Sequence, residues 1–145
     1  MSYRSNKQTK AYDKHLSKAK NNSNKCDFCA IDRSHKQFVS ETSSFMVVHN
    51  IFPYSLWDNQ PVLDHLMLIP KQHTDTLADI TPEAASEFVR TISKYEQKGY
   101  DIYARAPGSV MKSVTHQHTH LIKLARRKVR GLIYFEKPHL RIVIK

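Results

Sequence analysis

Ser113-Val114-Thr115-His116-Gln117-His118-Thr119-His120-Leu121-Ile122 places three histidines at strictly alternating positions. Val114, Thr115, Thr119 and Ile122 are β-branched and favour an extended backbone. On a strand, residues two apart share a face, so His116, His118 and His120 are expected to stand in a row. A helix would turn His118 away from the other two. Imidazoles in a row are costly in a core and unnecessary on a wet surface, so the stretch reads as a site.

The flanking sequence supplies a sheet for it. Residues 102–104 read as a strand, with a loop at Pro107-Gly108 before the histidines. Residues 45–49 read as another, followed by a turn-prone segment around Pro53 and Asp58-Asn59. The continuously apolar run 66–69, ahead of Pro70, reads as a strand buried on both faces. Thr81-Pro82-Glu83-Ala84 opens one main helix, with Thr81 as N-cap, Pro82 at the first helical position and Glu83 favouring the positive end of the dipole. Ala85, Phe88, Val89, Ile92 and Tyr95 follow at helical spacing as a core stripe, and Gly99 is the natural stop. Residues 132–135 and 140–144, around Lys137-Pro138, read as a hairpin or a pair of strands. The expected class is α+β, with a mostly antiparallel sheet.

The chain has 145 residues and a net charge of +10, which suits one basic domain and an anionic partner such as a nucleotide or nucleic acid. Much of that charge lies near the start: Arg4, Lys7, Lys10, Lys14, Lys18, Lys20 and Lys25 stand against the single acid Asp13 within residues 1–25. These residues read as a flexible basic arm with a short helix around 11–20, leaving residues 26–145 as the globular domain. No apolar run is long enough to span a bilayer, and the start lacks the apolar stretch of a secretory signal. The expected compartment is the cytoplasm. Cys26 and Cys29 form a C-x-x-C pair, which in this setting favours metal binding or redox chemistry over a disulfide.

Three stretches converge on the histidine row: Cys26-Asp27-Phe28-Cys29, His49-Asn50-Ile51-Phe52-Pro53-Tyr54, and Asp64-His65 through Pro70-Lys71-Gln72-His73. With them, residues 26–124 resemble the histidine triad (HIT) superfamily of nucleotide hydrolases and transferases, whose motif is His-φ-His-φ-His-φ-φ with φ apolar. The Cys26/Cys29 pair resembles its zinc-bearing subgroup. The resemblance implies a HIT-like fold and cleavage at the α-phosphate of a purine nucleotide through a nucleotidyl-histidine intermediate. His118 would be the nucleophile. His120 and His65 would orient it and contact the phosphate, and Ser113 would bond the phosphate or the leaving group. Asn50 would take the ribose hydroxyls, with Ile51 and Phe52 against the base. A structural zinc would be held by Cys26, Cys29, His73 and His116. A homodimer is implied as well.

The chain departs from that pattern in places. Gln117 and Thr119 fill positions that are usually apolar, and Lys123-Leu124 stand where a Pro-Arg pair is common. The glycine-rich loop is reduced to Gly108, Lys112 replaces a common Gln, and residues 58–64 look inserted. The substrate classes left open are phosphoramidates, dinucleoside polyphosphates and adenylated adducts. The basic termini, including Arg126-Arg127-Lys128-Val129-Arg130, admit a nucleic-acid partner. Two rivals remain: a non-catalytic, zinc-stabilised module that binds nucleotide or nucleic acid, and a three-histidine catalytic metal site, which needs a second metal equivalent.

Overall fold

The structure, a computed structural model, describes residues 3–20, 26–136 and 139–144. Helix α1 (Asn6–Lys20) precedes strands β1 (Phe38–Glu41), β2 (Phe45–His49), β3 (Leu56–Trp57) and β4 (Gln60–Pro70). Helix α2 (Pro82–Gln97) leads to β5 (Tyr100–Ala104), β6 (Thr119–Leu124), β7 (Gly131–Glu136) and β8 (His139–Ile144). The main sheet runs β1-β2-β4-β6-β5, β3 pairs with β4, and β7 and β8 form a separate two-stranded ribbon. Every described pairing is antiparallel, as the α+β reading expects. Lys137-Pro138, in the expected hairpin, lie outside the described residues.

Local chemistry accounts for the boundaries. Asp58 and Asn59, both at positive φ (47° and 59°), make the tight turn between β3 and β4. A turn with two left-handed central residues matches the twist of paired strands, and Asp and Asn tolerate that geometry. The residues that looked inserted are therefore a hairpin and the start of the long β4. Thr81 Oγ1 accepts the Ala84 N–H at 3.3 Å to cap α2, and Gly99, at φ +82°, follows its C-terminal turn. The inward stripe of α2 is Ala84, Phe88, Ile92 and Tyr95. Val89, expected in that stripe, is 56% exposed, because one residue beyond Phe88 is a rotation of about 100° on a helix.

The sheet has two occupied faces. Phe45, Val47, Leu66, Leu68 and Leu121 pack under α2. On the opposite face Met46, Val48, Met67 and Ile69 pack with Phe28 and Ile31 from the cysteine segment. The β4–β6 register sets Met67 opposite His120 and Leu68 opposite Thr119. Period-two alternation thus turns His120 away from α2 and Thr119 toward it. Buried there, Thr119 Oγ1 has no hydrogen-bond partner among the described residues. Thr119→Val is therefore expected to raise stability by about 1 kcal/mol, seen as a higher urea midpoint. A lower midpoint would mean that the hydroxyl is satisfied.

Two boundaries differ from the sequence reading. Helix α1 starts at Asn6 rather than near residue 11, because Ser5 and Gln8 form a capping box. The Gln8 N–H donates to Ser5 Oγ at 3.4 Å, and the Ser5 N–H donates to Gln8 Oε1 at 3.1 Å. The helix is also seated on the domain, with Tyr12 and His15 at 5.4 and 5.1 Å from the Phe52 ring centroid. The second difference is in the histidine strand, since only His120 lies within β6. His116 and His118 precede it, where the Gln117 N–H bonds the Thr74 carbonyl at 2.6 Å instead of a strand partner.

Candidate active site

The three histidines are buried together, as are the intervening Gln117 and Thr119. His65, carried by β4, joins them: its Nε2 lies 3.0 Å from His120 Nδ1. The ring centroids of His118 and His120 are 5.0 Å apart in an edge-to-face arrangement. Phe28 covers His118 edge-on at 5.2 Å. Tyr54 stacks on His65 at 5.1 Å and Tyr103 on His120 at 6.0 Å. Trp57 packs between these tyrosines, 5.2 Å from Tyr54 and 4.8 Å from Tyr103.

Backbone groups decide which nitrogen of each ring carries the proton. A carbonyl can only accept, so His118 Nδ1, 2.8 Å from the His116 carbonyl, is the protonated nitrogen. Its Nε2 keeps a free lone pair. An N–H can only donate, so His65 Nδ1 accepts from Tyr54 at 3.2 Å and Nε2 carries the proton toward His120. His120 then accepts on Nδ1 and retains an Nε2–H donor. The row therefore contains one nucleophilic nitrogen and, beside it, a hydrogen-bond donor suited to a phosphoryl oxygen.

Burial keeps these rings neutral. His118 is lowered from the ordinary imidazole value by burial first, against the pull of its carbonyl bond and with help from the charges of Lys112 and Arg105. His120 falls to about 2 and His65 to about 4, again mainly by burial. In the unfolded chain His65 titrates near 6.5, so between those values the unfolded state binds the extra proton and stability falls as pH drops. A loss of up to about 3 kcal/mol is expected from about pH 6.5 to 4. Urea midpoints at stepped pH would read it, with a shallower slope in His65→Gln; equal slopes would contradict the assignment.

Asn50 lies beside His65. Its Oδ1 accepts the Phe52 N–H at 2.8 Å, so its Nδ2, 3.2 Å from the equally donating His65 Nε2, keeps its hydrogens for another acceptor. A cavity of about 460 Å³ opens there, lined by Gln8, Asn50, Tyr54 and His65 among others. Ile51 is exposed, whereas Phe52 is half-buried beneath α1. Ser113 is exposed on the segment leading to His116. The sequence reading passed over Tyr54, Tyr103, Arg4 and Arg105 as site residues. Only Arg105 had a local signal, a charged residue just past an expected strand.

A second cluster sits against the first. Ligand atoms of Cys26, Cys29, His73 and His116 all lie within 4.8 Å of one another. His116 Nε2–H donates to the Pro70 carbonyl at 3.0 Å, which leaves Nδ1 facing the sulfurs of Cys26 and Cys29 at 3.3 and 3.5 Å. His73 Nδ1 is 3.2 Å from Cys29 Sγ. Donors about 2.0–2.3 Å from a central metal in a tetrahedron stand roughly 3.5 Å apart, so the four residues fit a closed metal site. The Pro70 carbonyl supplies the outer bond that orients such a ligand. No helix among the described residues is long and apolar enough to cross a membrane.

A family model described as the HIT domain matches residues 33–128. An adenosine 5′-monophosphoramidase from Candida albicans is 27% identical over 110 residues, which cover 67% of this chain and 68% of that protein. A histidine triad protein from Clostridium difficile aligns with a TM-score of 0.53 and 22% identity over 77% of this chain and 96% of its own. A zinc-bound histidine triad family protein from Mycobacterium smegmatis aligns with a TM-score of 0.51 and 23% identity, over 70% and 76% of the two chains. These structural likenesses establish the fold. Helix α1 and both cysteines lie outside the family match.

Proposed function

The chain belongs to the HIT domain family, and on that premise we propose that it is a nucleotide hydrolase or nucleotidyl transferase working through a nucleotidyl-His118 intermediate. The observation that carries this reading is the 2.8 Å bond from His118 Nδ1 to the His116 carbonyl, which aims the lone pair at Nε2. That nitrogen attacks the α-phosphorus, and the leaving group departs with the electrons of its bond to phosphorus. Water or another acceptor then displaces His118. His120, positioned by His65, donates its Nε2–H to a phosphoryl oxygen. Asn50 takes the ribose hydroxyls, Ile51 and Phe52 flank a purine base, and Ser113 contacts the phosphate or leaving group. The phosphoramidase activity named for the Candida relative supports adenosine phosphates as substrates.

Cys26, Cys29, His73 and His116 would hold a structural zinc. With all four positions filled by protein, its part is to fix the cysteine segment against the histidine row rather than to activate water. The same reading includes a cytoplasmic homodimer, for which the outer strand β5 offers an edge where the sheet can continue.

The test is to incubate the zinc-loaded protein with adenosine 5′-phosphoramidate and diadenosine tetraphosphate labelled at the α-phosphorus. AMP release with transient, acid-labile label on the protein is expected. Tight binding of both without release or label would favour the binding module.

A further inference from the structure

Three cations crowd the histidine row. Arg4 lies 4.4 Å from the ring centroids of both Tyr12 and Tyr54 and donates from Nε to the Phe52 carbonyl at 3.0 Å. Its charge bears on His65 and His120. Arg105, directly after β5, donates to Tyr54 Oη at 3.2 Å and lies 5.3 Å from the Tyr103 ring centroid. Tyr54 and Tyr103 are the rings stacked on His65 and His120, and the Arg105 charge reaches both His118 and His120. Lys112 donates to the Asp75 carbonyl at 2.8 Å and to Oε1 of Gln117, the residue before His118, at 3.2 Å, and its charge bears on His118.

Among the described residues, little negative charge answers them. Asp64 is the acid whose charge bears on His65. Its carboxylate already accepts from Tyr100 Oη at 2.6 Å and from the His65 N–H at 2.8 Å. Asp75 acts on Lys112, but the hydrogen bonds of Arg4 and Arg105 above run to a carbonyl and a phenol. Arg105 opens the segment between β5 and β6 and Lys112 stands within it, and both charges bear on His118. One α-phosphate does not require this much positive charge; a longer phosphate chain does.

We propose that Arg105 and Lys112 form a leaving-group subsite, reinforced by Arg4, that selects substrates whose α-phosphate is joined through a phosphoanhydride to another phosphate. The subsite rests on the reading of His118 as nucleophile. His118 Nε2 forms the new bond to the α-phosphorus, and the bridging oxygen leaves with the electrons of the broken P–O bond. The departing phosphate needs no proton, only compensation of its charge, which the two cations provide. An amine must gain a proton as it departs, and fixed cations favour it less. Both a nucleoside polyphosphate and the 5′ end of an adenylated nucleic acid carry the required anhydride.

The experiment compares kcat/KM for AMP release from diadenosine tetraphosphate, a 5′-adenylated DNA oligonucleotide and adenosine 5′-phosphoramidate. It uses the full zinc-loaded chain, Arg105→Gln, Lys112→Gln and the charge-retaining Arg105→Lys. The wild type is expected to favour an anhydride by about tenfold, and each Gln variant to lower the anhydride-to-amidate ratio by about tenfold. Arg105→Lys should recover most of that ratio. Faster release from the DNA points to nucleic acid as the source, and faster release from the tetraphosphate to a nucleoside polyphosphate; each supports the subsite. Wild-type preference for the phosphoramidate, or a ratio unmoved by both Gln variants, overturns it. No AMP from any substrate, with no label on His118, overturns instead the nucleophile reading beneath it.

Discussion

His118→Ala is expected to release AMP at least ~1,000-fold more slowly than the wild type at saturating substrate, with nucleotide affinity nearly unchanged. The neighbouring imidazoles are poorly placed to substitute. His120 Nδ1 is engaged by His65 at 3.0 Å, and His116 Nδ1 faces the cysteine sulfurs at 3.3 and 3.5 Å. The variant should still fold, because the side-chain hydrogen bond of His118 returns to backbone in its own segment. It does lose ring contacts with Phe28 and His120, so zinc content and circular dichroism should accompany the kinetics. A variant that keeps more than about 1% of the rate and still takes up label would place the nucleophile elsewhere.

Stripping the metal is expected to produce the second large effect. Structural zinc supplies much of the folding free energy of small domains that bind it. Cys29 is exposed, so Cys29→Ser removes a ligand while disturbing little packing. A stability loss of about 3 kcal/mol or more is expected for this variant, and chelator should then shift its urea midpoint no further. Activity should fall with it, because Phe28, between the two cysteines, also packs on His118, and His116 provides the carbonyl that orients the His118 ring. Equal midpoints for wild type and Cys29→Ser, with and without chelator, would remove the metal from the account.

Much of this was legible in the chain because its signals are local. β2 occupies the apolar run at 45–49, and α2 begins behind Thr81. The four residues read as metal ligands meet because His73 follows β4 and His116 precedes β6, its neighbour in the sheet, while the cysteine segment packs on the face they share. Other features depend on partners far away in sequence. β1 went unread because Phe38–Glu41 is a short outer strand with little apolar pattern. The strand reading of His116 and His118 failed because a tertiary bond from Gln117 to Thr74 outcompetes β pairing there. Ser5 and Gln8 did carry a capping box, obscured by the basic composition around them. The convergence of Arg4, Arg105 and Lys112 has no periodicity to betray it, since Arg4 arrives from ahead of α1 and the other two from the segment between β5 and β6.

The tautomers of His118, His65 and His116 are set by the His116 carbonyl, the Tyr54 amide and the Pro70 carbonyl. Point substitutions replace side chains and leave these main-chain groups in place. Drift in the surrounding residues can therefore retune substrate preference while the polarity of each ring is inherited intact from the path of the backbone. Chemistry and selectivity are in this way separable, and a chain with an altered loop and a charged collar can keep the same reaction while changing its clientele.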